Sequence, residues 1–413
     1  MTPTILFYII IGILIISFYF DTLLNALNAK RFSDPIPNKL SDVYDQEAYQ
    51  KSQSYSHTRY RFSKISGGFG FVITLTFFFF DGFAWVDALT RTYFENPIVI
   101  ALVFFGIIYF ANELVGIPFS YYNTFVIEDA FGFNKTNFKT FITDKLKGWG
   151  ITLLFGGAVL AGLVWFYEVS GSFFWVYAWG FITLISVLIN RFYAQLIVPL
   201  FNKQKPLEDG ELRQAIEIYS KQVGFTLDNI FVIDGSKRST KANAYFSGFG
   251  KQKRITLYDT LIEKLTVEEI VAVLAHEVGH YKKKHILSNL ILSTAQTGVM
   301  LFLLSLCVNM PLLSEALQVS IPSFHVGLIA FVILYTPLSQ ITGLGMNYLS
   351  RKYEYQADAY AKNTYAFEPL VAALKKLSKT SLSNLTPHPL YVKWHYSHPT
   401  LLQRIEKMEA KES

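Results

Sequence analysis

An α-helical membrane protein carrying a small α+β polar domain is the fold class that this sequence predicts. Three observations predict it. Of 413 residues, 51% are hydrophobic and 16% charged, where soluble domains carry about 25% charged residues. The apolar residues fall into long runs separated by polar segments, and the Lys and Arg residues crowd into alternate segments. Composition also excludes disorder, collagen and coiled coil. The single cysteine, Cys307, excludes a disulfide framework and a cysteine-rich metal cluster. The net charge of +6 shows no basic stripe interleaved with aromatics. It therefore reads as anchoring charge beside membrane helices, and no nucleic-acid partner is expected.

About 20 mostly apolar residues cross ~30 Å of hydrocarbon. Seven stretches qualify: 4–25, 67–87, 97–117, 149–167, 173–198, 286–308 and 325–346. The first lacks a basic leader and a small-residue cleavage site, so it reads as a retained span. Lys30, Arg31, Lys39, Lys51, Arg59, Arg61 and Lys64 lie in the first loop, and Lys135, Lys139, Lys145 and Lys147 in the third. The alternate loops are nearly bare, with Arg91 alone in the second. By the positive-inside rule the N-terminus is outside, while segment 199–285 and the C-terminus face the cytoplasm. Four regions follow: a five-span membrane domain (1–198), a polar segment (199–285), spans six and seven (286–346) and a C-terminal helical part (347–413).

In the first polar segment the pattern predicts a helix near 207–223 and a strand at Asn229–Ile233. A hairpin pair follows (244–249 and 254–258), then a helix opened by the capping-box residues Thr266 and Glu269. The C-terminal part predicts helices near 347–364, 367–379 and 399–411, the last opened by Pro399.

The helix after Thr266 contains His276-Glu277-Val278-Gly279-His280. Histidines four apart share one helix face and can take two corners of a tetrahedral zinc. Glu277 falls beside the metal, placed to accept a proton from the attacking water. Gly279 in mid-helix costs about 1 kcal/mol against alanine, which implies a close backbone approach there. A metzincin would need histidine at position 286, which is Ile. His285 is one residue short and reads as a polar residue at the membrane interface. The other route to a third ligand is a carboxylate from a later helix. Glu354 and Asp358, at i and i+4 just after span seven, can close the zinc site and orient a ligand imidazole.

With those residues in hand the sequence resembles the type I CAAX prenyl proteases, integral-membrane zinc metalloproteases. Asn243-Ala244-Tyr245-Phe246 with the following strand carries the resemblance, as do the H-E-x-x-H helix with Glu354 and Asp358, Tyr396–Thr400 with Gln403-Arg404-Ile405, and Glu128–Thr136. The resemblance implies a gluzincin-type domain on seven helices around an intramembrane chamber. It implies one Zn2+ per chain on His276, His280 and Glu354, with Glu277 as general base and Asp358 behind a ligand histidine. His398 and Arg404 would line the site and steady the oxyanion, and Asn243, Ala244 and Tyr245 would pair with an extended substrate. The implied partners are lipid and a prenylated C-terminal peptide that loses its AAX tripeptide. The implied residence is the endoplasmic reticulum of a eukaryote or the inner or plasma membrane of a bacterium.

Two other readings stay open at this point: a membrane quality-control zinc protease without prenyl dependence, and an inactive scaffold or transporter. His57, His325, His388 and His395 match no ligand pattern. Asn112, Glu113 and Asn190 are polar residues at membrane depth that require partners or a water-filled cavity.

Overall fold

A computed structural model of the chain describes residues 1–225, 229–247 and 254–410. Six helical runs are long and apolar enough to cross a membrane. The fourth, Phe138–Phe201, reverses at Gly171, whose φ is +52°, a left-handed backbone that glycine adopts without strain. Phe166 consequently stacks on Tyr177. That single run supplies two crossings, which makes seven among the described residues.

In chain order the helices of the membrane domain are α1 (Pro3–Ala29), α2 (Gln46–Phe79), the short α3 (Gly82–Tyr93), α4 (Pro97–Tyr122), α5 (Phe138–Ile151), α6 (Gly157–Ser170), α7 (Phe174–Phe192) and α8 (Val198–Phe201). π-helical turns join α5 to α6 and α7 to α8. The polar domain then supplies β1 (Gln204–Pro206), α9 (Glu211–Gln222), β2 (Asn229–Ile233), β3 (Ala244–Ser247), β4 (Arg254–Tyr258), α10 (Asp259–Lys264) and α11 (Val267–Lys282). Helices α12 (His285–Cys307), α13 (Pro311–Ala316) and α14 (Phe324–Thr364) return through the membrane. The chain ends in α15 (Phe367–Thr380), α16 (Pro389–His395) and α17 (Leu401–Glu409).

The spans form a closed ring. Each of α1, α2, α4, α6, α7, α12 and α14 packs on the next, with α3 bridging α2 to α4 and α14 closing on α1. One end of the ring is plugged by α3 and α13, through Phe78, Phe83, Phe104, Leu313 and Val326. Only 6–33% of each apolar window is buried, as expected where helices touch ring neighbours and leave both a lipid side and an inner side open.

The sheet runs β1-β2-β4-β3, with β2 and β4 parallel and the other two pairings antiparallel. β3 is therefore an edge strand. Its partner residues Ile255 and Leu257 pack with Ile216, Leu261, Ile270, Leu274 and Leu370 into the domain core. The expected hairpin is present as β3 and β4; residues 248–253, including the expected end of its first strand, lie outside the described residues.

Two expectations need correction. Residues 347–364 are not a separate helix but the last part of α14, which runs 41 residues from Phe324 to Thr364 through Pro337. Hydropathy falls after Met346, yet the i→i−4 ladder continues into the polar domain. The last helix opens at Thr400 rather than Pro399. Thr400 accepts from the Gln403 N–H, and Gln403 accepts from the Thr400 N–H.

The expected close approach at Gly279 is present. A Cβ there would lie 3.0 Å from Ala357 Cα and 3.1 Å from its carbonyl oxygen, so α11 and α14 meet backbone to backbone. Gly279→Val should wedge them apart and cost about 1–3 kcal/mol. Thermal unfolding of the purified variant checks this, and an unchanged midpoint would contradict the contact.

Candidate metal centre and substrate cleft

α11 owes its position to a reciprocal N-cap (Thr266 Oγ1 with the Glu269 N–H, Glu269 Oε2 with the Thr266 N–H) and to an almost wholly buried face. That face carries His276 and His280 against α14. Glu354 is on α14 one helical turn before Asp358, and both are buried. Donor atoms of three residues converge there. His276 Nε2 and His280 Nε2 are 3.1 Å apart; Glu354 Oε2 lies 3.3 Å from the first, and Oε1 3.2 Å from the second. A tetrahedral ion about 2.1 Å from each donor holds its ligands about 3.4 Å apart. Glu354 Oε2 is also buried without a hydrogen bond, an arrangement that a cation resolves. The three residues fit a metal.

Each ligand imidazole is oriented from behind. His276 Nδ1 lies 2.9 Å from Asp358 Oδ1. Burial works against protonation of His276, but its contact with Asp358 and the nearby Glu354 carboxylate prevail and push its pKa up to about 9. A cation entering the site displaces that proton. Asp358 is held in turn by Arg404, whose Nε and Nη2 reach its two oxygens at 2.9 and 2.6 Å. Burial opposes the charge on Arg404, and the Asp358 carboxylate more than restores it. His280 Nδ1 lies 3.0 Å from His285 Nδ1, and His285 Nε2 lies 2.8 Å from Gln356 Oε1. With Gln356 accepting from Nε2–H, His285 Nδ1 is left to accept from His280 Nδ1–H. Both ligand histidines thereby present an Nε2 lone pair to the same point.

His285 is thus no interfacial bystander. It is buried, stacked on Tyr353 at 4.2 Å, and supports His280 as Asp358 supports His276. Its signal in the sequence was weak because both partners, five residues back and on another helix, align only once α12 breaks away from α11 at Lys284, whose φ is +59°.

A cleft of about 520 Å³ opens over the centre, lined by Glu277, Asn243, Ala244, Tyr245, His398 and Arg404 as well as the ligands. Every expected site residue therefore lines the cleft or stands directly behind it. Glu277 makes no hydrogen bond among the described residues and faces the cleft unengaged. His398, 63% exposed, puts Nε2 3.3 Å from Glu354 Oε1. Arg404 Nε and Nη2 are spent on Asp358, and the side chain is 11% exposed. It braces the centre and also lines the cleft beside His398, with Nη1 3.7 Å from Glu354 Oε2. Asn243 Oδ1 accepts from the Ala244 N–H at 2.9 Å, and the Asn243 carbonyl accepts from Tyr258, which fixes β3 at the cleft rim.

The membrane domain holds this rim as well. Thr240 donates to the Phe133 carbonyl, and Lys135 donates to that of Arg238. Glu128 gathers Lys241, Arg59 and the Tyr55 hydroxyl at 2.8, 2.9 and 2.6 Å. Of the intramembrane polar residues, Glu113 accepts from Lys145 and Trp149. Asn190 donates to Ser186 of its own helix.

Comparison with known proteins agrees with this geometry. Residues 25–203 match the family described as CAAX prenyl protease N-terminal, five membrane helices, and residues 206–412 match peptidase family M48. The chain belongs to peptidase family M48. It is 34% identical over 412 residues to the CAAX prenyl protease 1 homolog of Arabidopsis thaliana, covering 98% of this chain and 97% of that one. To CAAX prenyl protease 1 of Saccharomyces cerevisiae it is 36% identical, covering 97% and 94%. The crystal structure of S. mikatae Ste24p superposes with a TM-score of 0.93 at 34% identity, covering 98% of this chain and 99% of that one. This M48 protein is accordingly a multi-pass membrane metallopeptidase.

The His285 geometry generates a test. His285→Phe keeps a ring on Tyr353 but removes the acceptor for His280, so Zn2+ affinity should fall about 10–100-fold. His285→Asn, whose Oδ1 can replace Nδ1, should recover most of it. Competition against a chromophoric chelator reads both; wild-type affinity in His285→Phe would contradict the role.

Proposed function

We propose that this M48 protein is a zinc endopeptidase that cuts beside a C-terminal prenylated cysteine and releases the AAX tripeptide on the cytoplasmic side of its membrane. The observation that carries this reading is the union of a two-histidine, one-glutamate centre with an edge strand at the mouth of a helix ring. Zinc suits the N2O donor set, and when bound it supplies Lewis acidity for the carbonyl and for water.

The chain's own groups do the rest. A substrate in extended form adds to the open edge of β3 beside Asn243 and Ala244, so that backbone bonds fix its register and side-chain pockets select its residues. Glu277 takes the proton of the attacking water and delivers it to the leaving amine. His398 donates toward the developing oxyanion, while Arg404 and Asp358 hold His276 still.

The ring supports the prenyl assignment. A lipid-modified tail can remain among apolar side chains while its peptide reaches the polar centre. The cytoplasmic assignment is supported by charge. The lysine- and arginine-rich first and third loops are the ones that pack on the polar domain, through Tyr44 to the Ser378 carbonyl and Glu128 to Lys241. The relatives' names, CAAX prenyl protease 1 and its homolog, support the prenyl assignment.

Glu277→Gln should lower cleavage about 10²–10⁴-fold with metal content unchanged. Retained cleavage would remove Glu277 as the base. Purified protein given a farnesylated CAAX peptide and its unlipidated counterpart should release the tripeptide at least tenfold faster (kcat/KM) from the former. Equal rates would instead favour general membrane proteolysis.

A further inference from the structure

A second pocket, of about 380 Å³, lies behind the catalytic helices and shares no lining residue with the metal cleft. Its charge is one-sided. Arg31, Arg351 and Lys393 line it, and no carboxylate among the described residues does. Arg31 is partly neutralised by Asp34 at 2.8 Å. Arg351 spends Nη1 on the Tyr396 carbonyl at 2.6 Å, which leaves Nε and Nη2 unspent. Lys393 is exposed, and its ammonium forms no ion pair or hydrogen bond among the described residues. Beside these cations stand the Gln403 and Tyr355 side chains, and Leu385 and Pro389 make an apolar wall.

Depth narrows the ligand class. Arg31 lies two residues beyond the end of α1 at Ala29. Arg351 follows the apolar run of α14, five residues beyond Met346. α1 and α14 are ring neighbours, and α16, which carries Lys393, packs across both. The cations therefore gather where two spans leave the hydrocarbon, at headgroup level. Basic pockets between membrane helices at that depth suit phosphate headgroups, and a guanidinium with two unspent donors suits a pair of phosphate oxygens.

We propose that this pocket binds the phosphodiester of an anionic phospholipid, with Arg351 and Lys393 on the phosphate and the apolar wall against the glycerol and first acyl carbons. The inference needs only the membrane helices and holds whatever peptide is cleaved. It carries a structural consequence. Arg351 and Tyr355 share α14 with Glu354 and Asp358, and Gln403 is next to Arg404 on α17. A bound headgroup therefore pins the outer faces of the two segments whose inner faces hold the centre.

The test uses full-length, zinc-loaded protein in a neutral detergent, titrated with dioctanoyl phosphatidylglycerol, dioctanoyl phosphatidylcholine and inorganic phosphate. The phosphatidylglycerol should bind at least tenfold tighter than either of the others. Lys393→Glu, at an exposed and unpartnered position, should weaken that binding at least tenfold. Lys51→Glu, an exposed position outside the pocket, should leave it within twofold. Arg351→Met provides a second variant, checked for its unfolding midpoint because it also loses the carbonyl bonds to α16. Equal affinity for the two lipids, or the same loss from Lys51→Glu as from Lys393→Glu, would overturn the site. Inorganic phosphate binding as tightly as phosphatidylglycerol would overturn its assignment to lipid.

Discussion

The candidate metal centre depends on one helix contact, the crossing of α11 over α14 at Gly279 and Ala357. Two histidines on one helix and a glutamate on another become one centre only if the helices approach closely enough for side chains of ordinary length to converge. Glycine permits that approach, at a cost of about 1 kcal/mol in helix propensity. The buried face of α11, from Ile270 to Val278, repays it by filling the domain core. From this crossing follow the 3.1–3.3 Å spacings of the donor atoms, and from those spacings the capacity for a metal.

The centre is also tied to the membrane by covalent continuity. α14 enters the bilayer at one end and delivers Glu354 and Asp358 at the other without a break. α12 leaves the metal helix through His285 and becomes a span within a single turn. The strand at the cleft rim is clamped by the Glu128 cluster and by the pairing of Asn134 with Ser239. The ring and the metalloprotease domain are thus joined by continuous helices as well as by these contacts.

Much of this was legible in the sequence, for physical reasons that can be named. The apolar runs are long, the capping box of Thr266 and Glu269 is local, and histidines four apart must share a helix face. Each signal lies within one or two turns of chain. What was illegible depends on distant partners. The length of α14 was hidden because hydropathy drops after Met346 while helical hydrogen bonding does not. The bracing role of Arg404 required knowing that Asp358, 46 residues earlier, occupies two of its donors. His285 looked like a charge-flanked interfacial residue until Tyr353 and Gln356 of α14 came beside it.

The central claim is that His276, His280 and Glu354 form a single metal centre created by the α11–α14 crossing. X-ray absorption at the zinc edge, on purified full-length protein of measured metal content, tests it most directly. About one zinc per chain is expected, with two imidazole nitrogens and the rest oxygen at about 2.0–2.2 Å, without sulfur, and with loss of the metal in Glu354→Ala. Substoichiometric zinc in active protein, a sulfur ligand from Cys307, or an unchanged spectrum in Glu354→Ala would contradict it.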